Sequence, residues 1–123
     1  MTDIKTTLND LTRAAHETAV EHGFYEEHHR ITYDLRIDGM HDVADIVERD
    51  FTLAQIAKIA SECGEAVAAI QHGETDEAVA EELADIVIRT LDLAGHMCVP
   101  FGDILMAKME KNRNRPYKHG KVC

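Results

Sequence analysis

The chain has 123 residues, enough for one domain with a modest core, and we expect a single domain over residues 1–123. Its formal net charge of −10 argues against a nucleic-acid partner, because binding to a duplex requires a basic surface. The sequence has no apolar run long enough to span a membrane, and its three cysteines show no pairing pattern. We therefore expect a cytoplasmic protein with reduced thiols and no membrane partner.

The hydrophobic pattern predicts helices along most of the chain. The first helix runs from about Thr2 to His22, where Gly23 is a natural stop. The second long helix is expected to begin at the capping box Thr52–Gln55 and to end near His72.

Two further helices follow after a tight turn. Thr75 or Asp76 caps the third helix, which continues to about Met97 and stops before Pro100. The fourth helix covers residues 102–114.

The segment Phe24–Asp50 does not follow this pattern. Apolar and polar side chains alternate from Ile31 to Ile37, which favours a short strand or extended run. A short helix around Ile46 is expected after it. We therefore predict an all-α four-helix bundle with an irregular excursion between its first and second long helices.

Two acidic pairs are the most informative feature of the chain: Glu62 with Glu65, and Glu82 with Asp85. Each pair has i,i+3 spacing, which places both carboxylates on one face of a helix. The pairs lie at matching distances on either side of the turn near Gly73, so an antiparallel hairpin brings all four together. Converging carboxylates repel one another unless cations neutralise them, and oxygen ligands suit Mg²⁺ or Mn²⁺. The pattern predicts a metal site.

An alternative interpretation is that these acids are solvated surface charge, since Glu-x-x-Glu is common on exposed helices. The apolar residues that surround both pairs favour partial burial instead, and a buried carboxylate needs a partner. The corresponding alternative for the whole protein is a non-catalytic acidic helical module that binds a partner.

The C-terminal segment is basic, in contrast to the rest of the chain. Six of the thirteen lysines and arginines lie between residues 108 and 121, where there is a single acid. Lys108 and Asn112 are four residues apart and share a helix face. Lysine and arginine bind phosphate oxygens strongly, so an acidic body with a basic tail can hold a small anion from both sides. A solvated basic terminus is the alternative.

The paired acids, the sixteen residues between them and the trailing Lys-x-x-x-Asn-x-x-Arg-x-Tyr together resemble the all-α MazG-like nucleoside triphosphate pyrophosphohydrolases. The stretch from Gly23 to Glu27 is similar to the Gly-Phe-aromatic-x-Glu stretch of short, often phage-encoded members. The resemblance implies hydrolysis of a nucleoside or deoxynucleoside triphosphate to the monophosphate and pyrophosphate.

The resemblance also implies roles for individual residues. It assigns the Mg²⁺ ions, with Mn²⁺ as a substitute, and the catalytic chemistry to the four paired acids: Glu62, Glu65, Glu82 and Asp85. It assigns phosphate contacts to the C-terminal segment: Lys108, Asn112, Arg115 and Tyr117. Phe24 and Tyr25 would enclose the base, with help from a neighbouring subunit.

Two departures from the family pattern limit what can be carried over. Many members have an extra acid just before the first motif glutamate, where this chain has Ser61. The segment 28–50 is longer than expected, so the substrate preference cannot be copied.

Base preference and assembly can be inferred from composition. The segment Phe24–Asp50 is rich in carboxylates, which can accept hydrogen bonds from the N1–H and N2 edge of guanine, so we favour dGTP and GTP. A mixed-purine preference or a pyrimidine preference is the alternative. The third helix is apolar on more than one side, which predicts a homodimer or homotetramer.

One histidine motif falls short of a di-iron site. Glu26-x-x-His29 imitates half of a di-iron carboxylate site, but such a site needs a second Glu-x-x-His motif. None of the other histidines has a glutamate three residues before it.

Overall fold

The chain forms five α-helices and one short 3₁₀ helix in the part that the structure describes. The structure, a computed structural model, describes residues 3–120, and side chains up to Lys118. The helices are α1 (Ile4–Glu21), α2 (Glu26–Ile37), α3 (His41–Gln71), α4 (Asp76–His96) and α5 (Phe101–Arg113), followed by the 3₁₀ helix Tyr117–Gly120. The all-α prediction is confirmed.

The predicted C-terminal end of α1 and the predicted N-terminal start of α4 are confirmed by their capping. Gly23 ends α1 with a φ of +82°, a conformation that only glycine adopts easily, and its N–H donates to the carbonyl of Val20. At the start of α4, the Thr75 hydroxyl accepts a hydrogen bond of 3.2 Å from the N–H of Ala78.

The irregular excursion predicted after α1 is wrong, because its first part is the helix α2. Ile31 and Leu35 are half-buried and lie one helical turn apart, on the face that packs against α3. Tyr33 and Ile37 also lie one turn apart, but they are 65% and 68% exposed. Two helical faces, one inward and one outward, therefore produced the alternation that favoured a strand.

The predicted start of the second long helix at Thr52 is also wrong. The helix α3 begins at His41, so the short helix expected around Ile46 is its first part. Thr52 does not cap a helix, since its hydroxyl donates to the carbonyl of Glu48, one turn earlier in the same helix. A threonine followed by glutamine three residues later can therefore lie inside a helix, with its hydroxyl bonded to the preceding turn, as well as at the start of a helix in a capping box.

The helices α1, α3 and α4 form the centre of the fold. The helices α3 and α4 are an antiparallel hairpin, and α1 packs along α4 in the opposite direction, with His16 beside Gly95. The helix α2 packs on α3, and α5 packs on α1, where the side chain of Asn9 accepts a hydrogen bond of 2.7 Å from the N–H of Gly102.

Small residues dominate the interior of a single chain. Among the residues whose side chains the structure describes, the buried apolar ones include only three that are larger than alanine: Tyr25, Leu91 and Leu93. Several other large apolar side chains on α4 are about half exposed, at 52% for Leu83 and 55% for Val87. None of the described helices is long and apolar enough to cross a membrane.

The close contact between α1 and α5 predicts the effect of enlarging Gly102. A Cβ atom there would lie 2.4 Å from the carbonyl oxygen of Lys5, so Gly102→Ala should destabilise the protein by about 1–3 kcal/mol in urea unfolding. Gly64 is the control, because its Cβ would meet no described atom within 4 Å. Gly64→Ala should stabilise by about 0.5–1 kcal/mol. Equal stability of the two variants would contradict this packing.

Candidate metal and nucleotide site

The hairpin of α3 and α4 brings the paired acids together, as the sequence predicts. Carboxylate oxygens of Glu62, Glu82 and Asp85 all lie within 4.8 Å of one another. A hydrogen bond with Glu62 and the charges of Glu62 and Glu82 raise the pKa of Glu65 above its usual value. That shift is the expected consequence of placing like charges side by side.

An arginine that sequence reasoning missed neutralises part of this charge. Arg89 donates a hydrogen bond of 2.7 Å from Nε to the Glu62 carboxylate. Hydrogen bonds with Glu65 and Arg89 hold the pKa of Glu62 below its usual value. The signal was present in the sequence, because Arg89 follows Asp85 by four residues and so shares its helix face.

The donor set fits a hard divalent cation. The Oε2 atom of Glu82 is buried and has no hydrogen-bond partner among the described residues. An unpaired buried carboxylate oxygen is costly, and a cation shared with Glu62 and Asp85 would satisfy it. The three residues offer only oxygen ligands, which Mg²⁺ and Mn²⁺ prefer. These acidic groups could therefore hold a metal ion.

A groove of about 770 Å³ runs beside the acidic cluster, between α1 and the α3–α4 hairpin. Its lining includes Glu62 and Asp85 together with the aromatic ring of Phe24. Two cations, Lys58 and Arg89, also line it. The volume lies in the range of small-molecule sites, and the groove combines acids, cations and an aromatic ring in one cleft.

The two aromatic residues predicted to enclose the base differ in their surroundings. Phe24 is 75% exposed and lines the groove, so its ring is available to a ligand. Tyr25 is 2% exposed, and its hydroxyl donates a hydrogen bond of 2.9 Å to Asp92. Burial and this hydrogen bond raise the pKa of Tyr25, so it remains a neutral phenol. Tyr25 forms part of the wall, and Phe24 is the accessible ring.

The C-terminal residues predicted to contact phosphate are not part of this groove within one chain. None of the described residues that line the groove comes from α5 or from the segment after it. The four predicted phosphate contacts therefore lie outside it: Lys108, Asn112, Arg115 and Tyr117. Tyr117 is 89% exposed, and Oδ1 of Asn112 is buried without a partner among the described residues. Their contact with phosphate stays a prediction.

The comparison with protein families identifies the family to which the fold belongs. Residues 51–119, more than half of the chain, match the MazG nucleotide pyrophosphohydrolase domain. The chain belongs to the MazG family. The matched MazG segment contains both acidic pairs and the C-terminal residues, whereas α1 and α2 lie before it. No curated protein and no solved structure matches the chain.

The repulsion around Glu65 predicts a pH-dependent gain in stability when its charge is removed. A raised pKa means that the folded protein binds this proton more tightly than the unfolded chain does. The repulsion therefore destabilises the fold above the folded pKa and vanishes as the pH falls below the ordinary value of 4.5. In metal-free buffer, Glu65→Gln should melt at a higher temperature than the parent at neutral pH, and the difference should close towards pH 4.5.

Circular dichroism melts in chelator-treated buffer measure this difference. Glu17→Gln, an exposed position on α1 that is not among the groove residues, is the matched control and should track the parent at every pH. A lower melting temperature for Glu65→Gln at neutral pH would contradict the repulsion.

Proposed function

We propose that this MazG protein hydrolyses a nucleoside or deoxynucleoside triphosphate to the monophosphate and pyrophosphate, in a reaction that requires Mg²⁺. The observation that carries the proposal is the convergence of Glu62, Glu82 and Asp85 at a groove that also holds an exposed aromatic ring. The family supports the class of reaction, which is the hydrolysis of an acid anhydride in a nucleotide.

The four acids would together bind the metal. Glu62, Glu82 and Asp85 would bind Mg²⁺ directly, and Glu65 would complete the set. Mg²⁺ bound there would neutralise charge on the phosphates and lower the pKa of the attacking water. A proton acceptor is also needed, and one of the four carboxylates or the neighbouring Glu81 would fill that role.

The cations of the groove would hold the triphosphate. Arg89 pairs with Glu62 in the structure, and its guanidinium could instead bind a phosphate oxygen if that carboxylate held a metal ion. Lys58 lines the same groove one helical turn before Glu62. The C-terminal residues Lys108 and Arg115 would contact the phosphates of a nucleotide bound in the groove of a neighbouring subunit.

The four acids should be essential for turnover but not for folding. Asp85→Asn and Glu65→Gln should each lower kcat by at least about 100-fold, because each weakens the Mg²⁺ complex. A hydrolysis screen over the eight common NTPs and dNTPs with Mg²⁺ or Mn²⁺ measures this. Glu17→Gln is the control and should retain the parent rate.

The result also separates an enzyme from a binding module. Normal turnover in Asp85→Asn would refute the metal site. Absence of turnover on all eight nucleotides, together with no thermal stabilisation by Mg²⁺ and nucleotide, would favour the non-catalytic acidic module.

We expect dGTP and GTP to be the preferred substrates. Phe24 offers a face for stacking, and Asp92 is a further carboxylate among the groove residues. The six acids of the 24–50 segment on which the guanine prediction relies lie on α2, at its C-cap or on early α3, outside the described lining of the groove: Glu26, Glu27, Asp34, Asp38, Asp42 and Asp45. A carboxylate that pairs with the N1–H and N2 edge disfavours bases without those donors.

Steady-state kcat/KM for dGTP against dATP, dCTP and dTTP tests the base preference. Phe24→Ala should raise KM for all four nucleotides, since stacking does not depend on the base. A tenfold preference for any nucleotide other than dGTP would overturn the guanine assignment.

We also propose that the chain assembles as a homodimer or homotetramer. A single chain leaves a row of α4 side chains about half exposed, including Leu83, Val87 and Ile88. Burial of such a surface between copies is favourable at about 25 cal/mol per Å². Light scattering at micromolar concentration should give a mass of two or four chains, and a monomer would refute both the assembly and any groove shared between subunits.

A further inference from the structure

A second cluster of metal-binding side chains lies well away from the four acids. It consists of His28 on α2, Glu48 on α3 and His96 at the end of α4, and we refer to it as the histidine cluster. Glu48 precedes Glu62 by fourteen residues in the same helix, which is about 21 Å along its axis. The two clusters are therefore separate sites.

The three side chains point their ligand atoms at one another. Glu48 bridges the two imidazoles, with one carboxylate oxygen bonded to Nε2 of His28 and the other 2.5 Å from Nε2 of His96. Ligand atoms of all three residues lie within 4.8 Å of one another. Two nitrogen donors and one carboxylate from three different helices thus converge on a single point.

The imidazole rings are fixed in position by aromatic neighbours. His28 stacks on Phe51, with ring centroids 3.8 Å apart and an angle of 14° between the rings. His96 stacks on Tyr25, with centroids 4.9 Å apart and an angle of 28°. Rings that are held in this way need little further ordering to bind an ion, which increases affinity.

Burial is uneven across the cluster, in a way that suits a metal ion with an open position. The side chains of His28 and His96 are 5% and 9% exposed, whereas that of Glu48 is 40% exposed. An ion could therefore enter from the carboxylate side and keep a water or a further ligand there. A third imidazole is close by, since the ring centroid of His29 lies 6.0 Å from that of His96.

The donor atoms select the class of metal. Mg²⁺ prefers oxygen ligands and suits the acidic groove, whereas two imidazoles with one carboxylate suit first-row transition metals such as Zn²⁺ and Fe²⁺. His28 and Glu48 also precede residue 51, where the match to the MazG domain begins. Two of the three residues of the histidine cluster therefore lie outside the matched segment, and His96 lies within it.

We infer that His28, Glu48 and His96 form a second metal site, which binds a first-row transition-metal ion such as Zn²⁺ independently of the nucleotide groove. Because its ligands come from three helices, the ion ties α2 to α3 and α4 and stabilises the folded chain. The hydrogen-bonded carboxylate alone would satisfy both histidines without a metal, and the experiment distinguishes these two cases.

The test is a titration of Zn²⁺ into the metal-free full-length chain, with excess Mg²⁺ present to saturate the acidic groove. Calorimetry should give one tight Zn²⁺ per chain, and the melting temperature should rise. Glu48→Gln should weaken Zn²⁺ binding by at least about 100-fold, since even the loss of a supporting neighbour costs 10–100-fold.

Two matched variants serve as controls. Glu62→Gln removes a carboxylate of the acidic groove, and His72→Gln removes an exposed histidine at the end of α3. Both should bind Zn²⁺ as the parent does. If Glu48→Gln and His96→Gln also bind Zn²⁺ with parental affinity, the histidine cluster is not a metal site.

X-ray absorption of the Zn²⁺-loaded parent provides a test that requires no variant. The first shell should contain two imidazole nitrogens together with oxygen ligands. A shell of oxygen atoms alone would overturn the site even if the variants failed to fold. Neither measurement involves nucleotide, so either outcome leaves the proposed hydrolysis to be judged separately.

Discussion

The register between α3 and α4 is the constraint on which the site depends. Gly73, with a φ of +70°, and the Thr75 cap define a short turn, and helix geometry then determines which residues face each other. The two acidic pairs meet only because they lie at equal distances from that turn. Shifting either helix by one residue would rotate one pair by about 100° and separate the carboxylates.

The acidic site opposes the stability of the chain that carries it. Neighbouring charges raise the pKa of Glu65, and an oxygen of Glu82 is buried without a partner among the described residues. Arg89 offsets only part of this charge. A cluster that is unfavourable without a cation and could hold one is the arrangement that the proposed metal site requires.

Local signals in the sequence predicted much of this structure, while long-range features were missed. Residue spacing predicted that the acidic pairs meet, and residue type predicted the cap of α4 and the end of α1. The helix α2 was missed because its inward and outward faces both carry apolar residues, which imitates a strand. The histidine cluster was not predictable, since 20 and 48 residues separate Glu48 from His28 and His96 and only the packing of helices brings them together.

The most direct test of the account is whether the α3–α4 acids bind a divalent cation. Mn²⁺ is a paramagnetic substitute for Mg²⁺, and electron paramagnetic resonance reports how much of it remains free. With Zn²⁺ present to fill the histidine cluster, Mn²⁺ should bind the parent, and Glu82→Gln should lose that binding. Equal Mn²⁺ binding by parent and variant, or none by the parent with or without a nucleoside triphosphate, would contradict the account.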